Sequence, residues 1–255
     1  MTESDNFSGR LVLVTGGTKG IGRAIAEAFL AAGAQVIVCG RTAPDSLPAA
    51  GRRSASFIAC DVKDSDAVKA MMGTIAERHG RLDVLVNNAG GSPSADAATA
   101  SPRFHDSIIR LNLLAPFQLA QEANAMMQAG QGGVIIFIGS VSALRPSPGT
   151  AAYGAAKAGV LSLVTSLAVE WAPKVRVVAV SPGLVQTEQS HLHYGDADGI
   201  AAVGATIPAG RMAQPADIAN ACVFVASAKA AYMSGSNLLL HGGGEKPAFL
   251  AAAQH

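Results

Sequence analysis

The stretch Leu11-Val12-Leu13-Val14-Thr15-Gly16-Gly17-Thr18-Lys19-Gly20-Ile21-Gly22 passes from an apolar run through a glycine-rich turn directly into a helical pattern. A strand covered by helices on both faces has no polar side, so its sequence is apolar throughout. Beyond the turn, Ile21, Ile25, Ala28, Phe29 and Ala32 share one face of a helix. Glycine, with no Cβ, permits a tight turn and a close approach of the backbone to a pyrophosphate. The helix start adds unpaired N–H groups and the positive end of the helix dipole. Turns collect glycine for many reasons, and it is the place of this one, between a first strand and a first helix, that marks a phosphate-binding turn.

The pattern repeats outward from this point. Leu11–Thr15, Gln35–Cys39, Ser56–Cys60, Leu82–Val86, Val134–Ile138, Val175–Val180 and Asn237–Leu240 read as buried strands. Helical spacing separates them, as in Val68, Met71, Met72 and Ile75, and in Ala156, Val160, Leu163, Val164 and Leu167. Alternation with right-handed crossovers predicts an α/β fold: a single doubly wound (Rossmann) domain over residues 1–255, its parallel sheet of about seven strands covered by helices on both faces. Two stretches interrupt the rhythm. Arg41 to Arg53 contains Pro44, Pro48 and Gly51, which argues against a full crossover helix. Gln186 to Gly210 follows the Pro182-Gly183 turn with weak periodicity, which suggests a lid or substrate loop, or else a surface excursion. A tail at 245–255 extends past the last strand and either packs on another subunit or is disordered.

Composition narrows the function. The chain has 255 residues and is 49% apolar, with aromatics at only 5%. Lys and Arg number 19 against 18 acids, a net charge of +1 without basic clusters, so nucleic acid is not an expected partner. Cys39, Cys60 and Cys222 are odd in number and lack metal-ligand spacing, which fits reduced, buried thiols in the cytoplasm. A contact between Cys39 and Cys60 is open, since both end strands. The polar Met1–Gly9 does not resemble a signal peptide, and no apolar run reads as a membrane span. His191, His193 and His241 have no acid or cysteine pattern around them and read as loop or surface residues, with no metal expected.

Tyr153 and Lys157 lie four apart in a predicted helix and share a face. A tyrosine with a pKa of about 10 is a poor proton carrier at neutral pH unless a nearby ammonium stabilises its phenolate. Ser140, directly after a central strand, can donate to a substrate oxygen; Ser142 is its competitor for that role. Each residue has an ordinary alternative: a helix pair with a snorkelling lysine, a helix cap at Ser140, a satisfied core amide at Asn112. The second strand ends Cys39-Gly40 without the acid that accepts adenosine ribose hydroxyls in NAD enzymes. Arg41 follows, and Lys19 sits in the glycine turn, so NADP(H) is favoured over NAD unless both are solvated surface cations.

Taken together, these motifs resemble the short-chain dehydrogenase/reductase family over about Gly9 to Gly244, with a likeness to 3-oxoacyl reductases. The glycine turn matches TGxxxGxG, Asn87-Asn88-Ala89-Gly90 matches NNAG, and Tyr153-Gly154-Ala155-Ala156-Lys157 matches YxxxK. The resemblance implies catalytic roles for Asn112, Ser140, Tyr153 and Lys157, with Asn112 holding a water that links Lys157 to solvent. It implies cofactor contacts from Gly16, Thr18, Lys19, Gly20, Ile21, Gly22, Arg41, Asp61, Val62, Asn88, Ala89, Gly90, Tyr153, Lys157, Pro182, Gly183, Val185 and Thr187. Asp61 would meet the adenine and the Pro182-Gly183 turn, with Thr187, the nicotinamide amide. The chain departs from the family at Val178, where an asparagine is common, and at Gly242, where Asp or Asn is. The implied activity is hydride transfer between NADP(H) and a ketone or secondary alcohol, in a homo-oligomer, by resemblance a tetramer. The alternatives are an NAD-preferring enzyme of the same family, a methyltransferase, which leaves Tyr153, Lys157 and Ser140 unexplained, and a non-catalytic cofactor-sensing module.

Overall fold

Strand β1 (Leu11–Thr15) lies inside a seven-stranded parallel sheet, paired with β2 (Gln35–Gly40) on one side and β6 (Val84–Asn87) on the other. The computed structural model describes residues 6–188, 190–247 and 249. Beyond β2 comes β5 (Ser56–Ala59); beyond β6 come β7 (Gly133–Ile138), β8 (Val175–Pro182) and β9 (Asn237–Leu240). The chain therefore winds one way from β1 through β2 to β5, then returns to the far side of β1 to begin β6. At such a reversal neighbouring connections leave on opposite faces and open a crevice at the carboxyl ends of the strands.

Alternate residues of β1 face opposite ways. Leu11 and Leu13 pack with Met71, Ile75, Leu119 and Val164 on one face; Val12 and Val14 pack with Ile25, Phe29, Cys222 and Val225 on the other. The first layer holds α2 (Ser65–His79), α4 (Ala115–Ala129) and α5 (Ala151–Glu170); the second holds α1 (Gly20–Ala31) and α8 (Pro215–Ala226). Local chemistry sets their ends. The Asp64 carboxylate accepts from the N–H groups of Asp66 and Ala67 to start α2, and Gly80, at φ +65°, stops it. Phe7 stacks edge-on against Phe29 with ring centroids 5.2 Å apart, closing the bottom of the second layer.

The irregular stretches take definite form. Arg41–Arg53 carries a two-stranded hairpin, β3 (Ala49–Ala50) with β4 (Arg53–Ser54), where a crossover helix was doubtful. The Gln186–Gly210 stretch is more regular than its sequence suggests, with α6 (His191–Tyr194) and α7 (Ala197–Thr206). Alanine and glycine give α7 little polar contrast, which hid its periodicity. Helix α5, contrary to expectation, is long and apolar enough to pass for a membrane span. It is nevertheless a core helix, with Val160, Val164 and Leu167 buried in the first layer. Helix α3 (Pro102–Ile109) runs through a π-helical turn, Arg110–Leu114, into α4. Cys39, Cys60 and Cys222 are free, buried thiols. Of the tail, 248 and 250–255 lie outside the described residues.

Phe29 is fully buried and stacks on Phe7, so Phe29→Ala should lower the unfolding free energy by roughly 3–5 kcal/mol. Urea denaturation would check this, and a loss under about 1 kcal/mol would show that the layer collapses to fill the gap.

Candidate active site

Thr15 fastens the two turns that border the crevice. Its hydroxyl accepts from the backbone N–H groups of Asn88 at 3.0 Å and Ala89 at 2.9 Å. The Asn88 amide in return donates to the carbonyls of Thr15 at 2.8 Å and Gly16 at 3.2 Å. Gly16 and Gly20 hold φ of +62° and +54°, in the left-handed region that favours glycine. At Gly22 a Cβ would collide with the Gly16 carbonyl and the Asn88 amide. A bare backbone cradle therefore opens at the N-terminus of α1, and it fits the pyrophosphate of a dinucleotide. Thr15 received no separate role from the sequence, although it opens the family motif.

The other candidate cofactor residues surround this cradle. Thr18 sits near Gly40, and Ile21 packs on the second layer. Lys19 and Arg41 are exposed, and neither pairs with a described acid. Asp61 accepts from the Lys63 N–H at 3.0 Å beside the buried Val62. Pro182 ends β8, Gly183 donates its N–H to the Leu240 carbonyl at 2.8 Å, and Val185 bridges to Ala213. Thr187 lies over the phosphate turn: its methyl group would be 3.8 Å from a Cβ on Gly20, as would the Glu188 carboxylate. The segment after β8 thus crosses back to the start of α1.

Ser140, Tyr153 and Lys157 come together where β7 ends against α5. Ser140 caps a short 3₁₀ turn, Val141–Ala143, by accepting from Ser142 N–H at 3.1 Å, and its hydroxyl faces the Tyr153 phenol. The helix cap and the proposed catalytic role therefore coexist in one residue. Ser142 turns away and accepts from Ser147 Oγ at 3.1 Å. Lys157 Nζ lies 5.6 Å from the Tyr153 ring centroid and donates to the Ile138 carbonyl at 2.7 Å. Burial lowers Lys157 from 10.5 to about 8. Burial also pushes the Tyr153 phenol above its ordinary value, and the Ser140 hydroxyl draws it part of the way back. The expected lowering of Tyr153 by Lys157 is thus absent here, because desolvation dominates both groups.

Asn112 is held within the protein. Its side chain, in the π-helical turn, is fully buried and bonded to the protein. Nδ2 donates to the carbonyls of Ile108 at 2.9 Å and Gly91 at 3.0 Å, while Oδ1 accepts from Gly91 N–H at 2.8 Å. The side chain pins the turn after β6. Gly90 still ties it to the site: a Cβ there would lie 2.7 Å from Asn112 Oδ1 and 3.5 Å from Lys157 Nζ.

A cavity of about 210 Å³ opens at the carboxyl ends of β7, β8 and β9, with Val141, the residue after Ser140, in its lining. Val141, Leu144, Leu184, Ile207 and Leu239 give it an apolar wall, and Arg145, His241 and Glu245 supply polar groups. His241, in the bend after β9, lines this cavity. His191 is exposed on α6, and among the described residues no group of three His, Cys, Asp or Glu gathers as a metal site.

The sequence pattern of a family described as enoyl-(acyl carrier protein) reductase matches residues 16–245. An uncharacterized short-chain type dehydrogenase/reductase of Sinorhizobium fredii is 37% identical over 92% of this chain, which spans only 43% of that longer protein. The chain belongs to the short-chain dehydrogenase/reductase family. The 3-oxoacyl-(acyl-carrier-protein) reductase of Escherichia coli, also similar, is 36% identical over 93% of this chain and 98% of its own length. A Beutenbergia cavernae protein described as an NAD(P)-dependent gluconate 5-dehydrogenase, solved with bound NADP at low occupancy, superposes with a TM-score of 0.86 at 35% identity. The match covers 94% of this chain and 98% of that one. Members of the short-chain dehydrogenase/reductase family are oxidoreductases of alcohols and ketones.

The depressed Lys157 has a thermodynamic signature. Below about pH 8 the lysine is charged both folded and unfolded, and folding bears the full cost of burying the ammonium. Between about 8 and 10.5 the folded lysine has lost its proton while the unfolded one keeps it, so stability rises with pH. The unfolding free energy of the wild type minus that of Lys157→Met should therefore grow from about pH 7.5 to about pH 9.5. A flat difference would return Lys157 to the ordinary lysine range.

Proposed function

We propose that this protein transfers a hydride between NADP(H) and a ketone or secondary alcohol, with Tyr153 as general acid and base. One observation carries the reading: Ser140, Tyr153 and Lys157 meet at the end of β7, where the next residue, Val141, lines an apolar cavity. A nicotinamide dinucleotide, when bound, supplies or accepts the hydride. Ser140 donates to the substrate oxygen and sets it beside the Tyr153 hydroxyl. In the reducing direction Tyr153 gives that oxygen its proton, and in the oxidising direction it takes the proton back. Lys157, its own pKa lowered to about 8 by burial, places its ammonium 5.6 Å from the centre of the phenol ring. Asn112 acts by clamping the Gly90-Gly91 turn against this lysine.

Gly16, Gly20, Gly22 and Asn88 would hold the pyrophosphate, and Asp61 and Val62 the adenine side. Cofactor choice follows from charge. Arg41 and Lys19 pair with no acid among the described residues and stand at the edge where a 2′-phosphate would lie, and β2 ends without an acid to repel it. The NADP bound by the Beutenbergia cavernae relative supports this choice. The cavity is smaller than the roughly 300–1,000 Å³ typical of pockets for drug-sized ligands, which favours a small substrate. A homo-oligomer suits the outer face of α5, where Ala155, Ala158, Ser162, Thr165 and Val169 form an exposed stripe of mostly small side chains. A tetramer is the form that the family resemblance implies. Free, buried thiols suit a reducing cytoplasm.

Tyr153→Phe should reduce kcat for a carbonyl substrate to a few per cent or less while leaving cofactor affinity nearly intact, since only the hydroxyl is removed. Retention of more would move the proton transfer elsewhere. Hydrogen bonds to charged groups contribute about 1.5–3 kcal/mol, so one phosphate contact favours NADPH over NADH by about ten- to a hundredfold in kcat/KM. Arg41→Ala should shrink that ratio through the KM for NADPH. Equal wild-type activity with both cofactors would sink the assignment, and an unchanged ratio in the variant would shift it to Lys19.

A further inference from the structure

Three distant segments meet at the outer wall of the apolar cavity. Arg145 comes from the turn after Ser140, and Glu245 from beyond β9. Tyr194 comes from α6, close enough for its phenol to feel both charges. Arg145 Nη2 and a Glu245 carboxylate oxygen lie 2.6 Å apart. Arg145 Nη1 also donates to the Pro146 carbonyl at 2.9 Å, which fixes the plane of the guanidinium. Among the described residues Arg145 is the one lysine or arginine that lines this cavity, and the surrounding wall is mostly aliphatic.

We propose that Arg145 recognises a carboxylate on the substrate, and that Glu245 occupies that place until the substrate displaces it. The ligand class is a small oxo or hydroxy carboxylic acid, with its apolar stem against Leu144 and Leu184 and its carbonyl toward Ser140. This substrate class rests on the carbonyl-reductase reading above. Glu245 itself displays the chemistry the guanidinium accepts. Both partners of the ion pair are more than one-third exposed, at 36% and 39%, and exposed pairs of this kind contribute little. A substrate carboxylate arriving on an apolar stem gains the same charge-assisted contact in a drier setting, together with burial of the stem. A single guanidinium without a second cation suits a carboxylate monoanion better than a phosphate dianion. The fork geometry of arginine also matches the two carboxylate oxygens.

The test compares 5-oxohexanoate with 2-hexanone, which carries a methyl group where the acid carries its carboxylate. The readout is the ratio of their kcat/KM values with NADPH. Arg145→Gln should lower the acid-to-ketone ratio at least tenfold, through the KM for the acid. Arg145→Lys should retain an intermediate ratio, and Glu245→Gln, which removes the internal competitor, should raise it about threefold. Ratios that stay unchanged in all three variants would overturn the proposal while leaving the carbonyl-reductase reading standing. Turnover of neither compound would count against that reading, and calorimetry with redox-inert hexanoate and 1-hexanol then decides the role of Arg145 separately. Hexanoate bound more tightly than hexanol, with the difference lost in Arg145→Gln, supports it; equal binding of the two defeats it.

Discussion

Backbone must come within touching distance of backbone at the start of α1, and much of the site follows from that. The turn after β1 and the turn after β6 approach so closely that no side chain fits at Gly22, and their polar groups have to satisfy one another. Thr15 does this with a single hydroxyl accepting two N–H groups, while Asn88 returns two bonds from its amide. Such a junction is stiff because every member is buried or half-buried and partnered. The unpaired N–H groups of α1 are then held open toward the crevice, where an anion can satisfy them at little further cost in ordering.

The same economy appears on the other side of the crevice. Lys157 is buried at 5% exposure and receives one strong bond, from its ammonium to the Ile138 carbonyl at the end of β7. An ammonium so placed is held at a cost, and its lowered pKa records that cost. Folding alone gives no reason to put a lysine there. Its presence beside Tyr153 is what the proposed chemistry asks for, with stability given up locally and recovered in the two apolar layers.

Much of this was legible in the sequence. The strands announced themselves because parallel strands covered on both faces are continuously apolar, and the glycine spacing identified the cradle because its geometry excludes Cβ atoms. Ser140, Tyr153 and Lys157 were legible through their spacing relative to a strand end and a helix turn. What escaped depended on partners remote in sequence or on weak contrast. The Asn112 side chain is consumed by Gly91, a pairing across 21 positions that no local pattern reveals. Arg145 and Glu245 are separated by 100 positions. The direction of the Tyr153 shift depended on burial, which composition does not report, and α7 was masked by its own alanines.

The placement of β9 bears on how the chain comes off the ribosome. Strand β8 is paired with β7 along Val175–Val180, and its other edge is covered at Ala179–Pro182 only by β9, which is translated more than fifty residues later, counting from Pro182 to Asn237. During that interval an apolar strand presents open amides and carbonyls to its surroundings, the kind of edge on which chains associate wrongly. Helix α8, which covers the same sheet from the second layer, emerges only shortly before β9 does. The phosphate cradle, by contrast, can close once β6 and its turn have been made. A nascent chain would therefore acquire its cofactor-binding half early and spend the rest of its synthesis with a vulnerable flank, a natural point for a chaperone to attend.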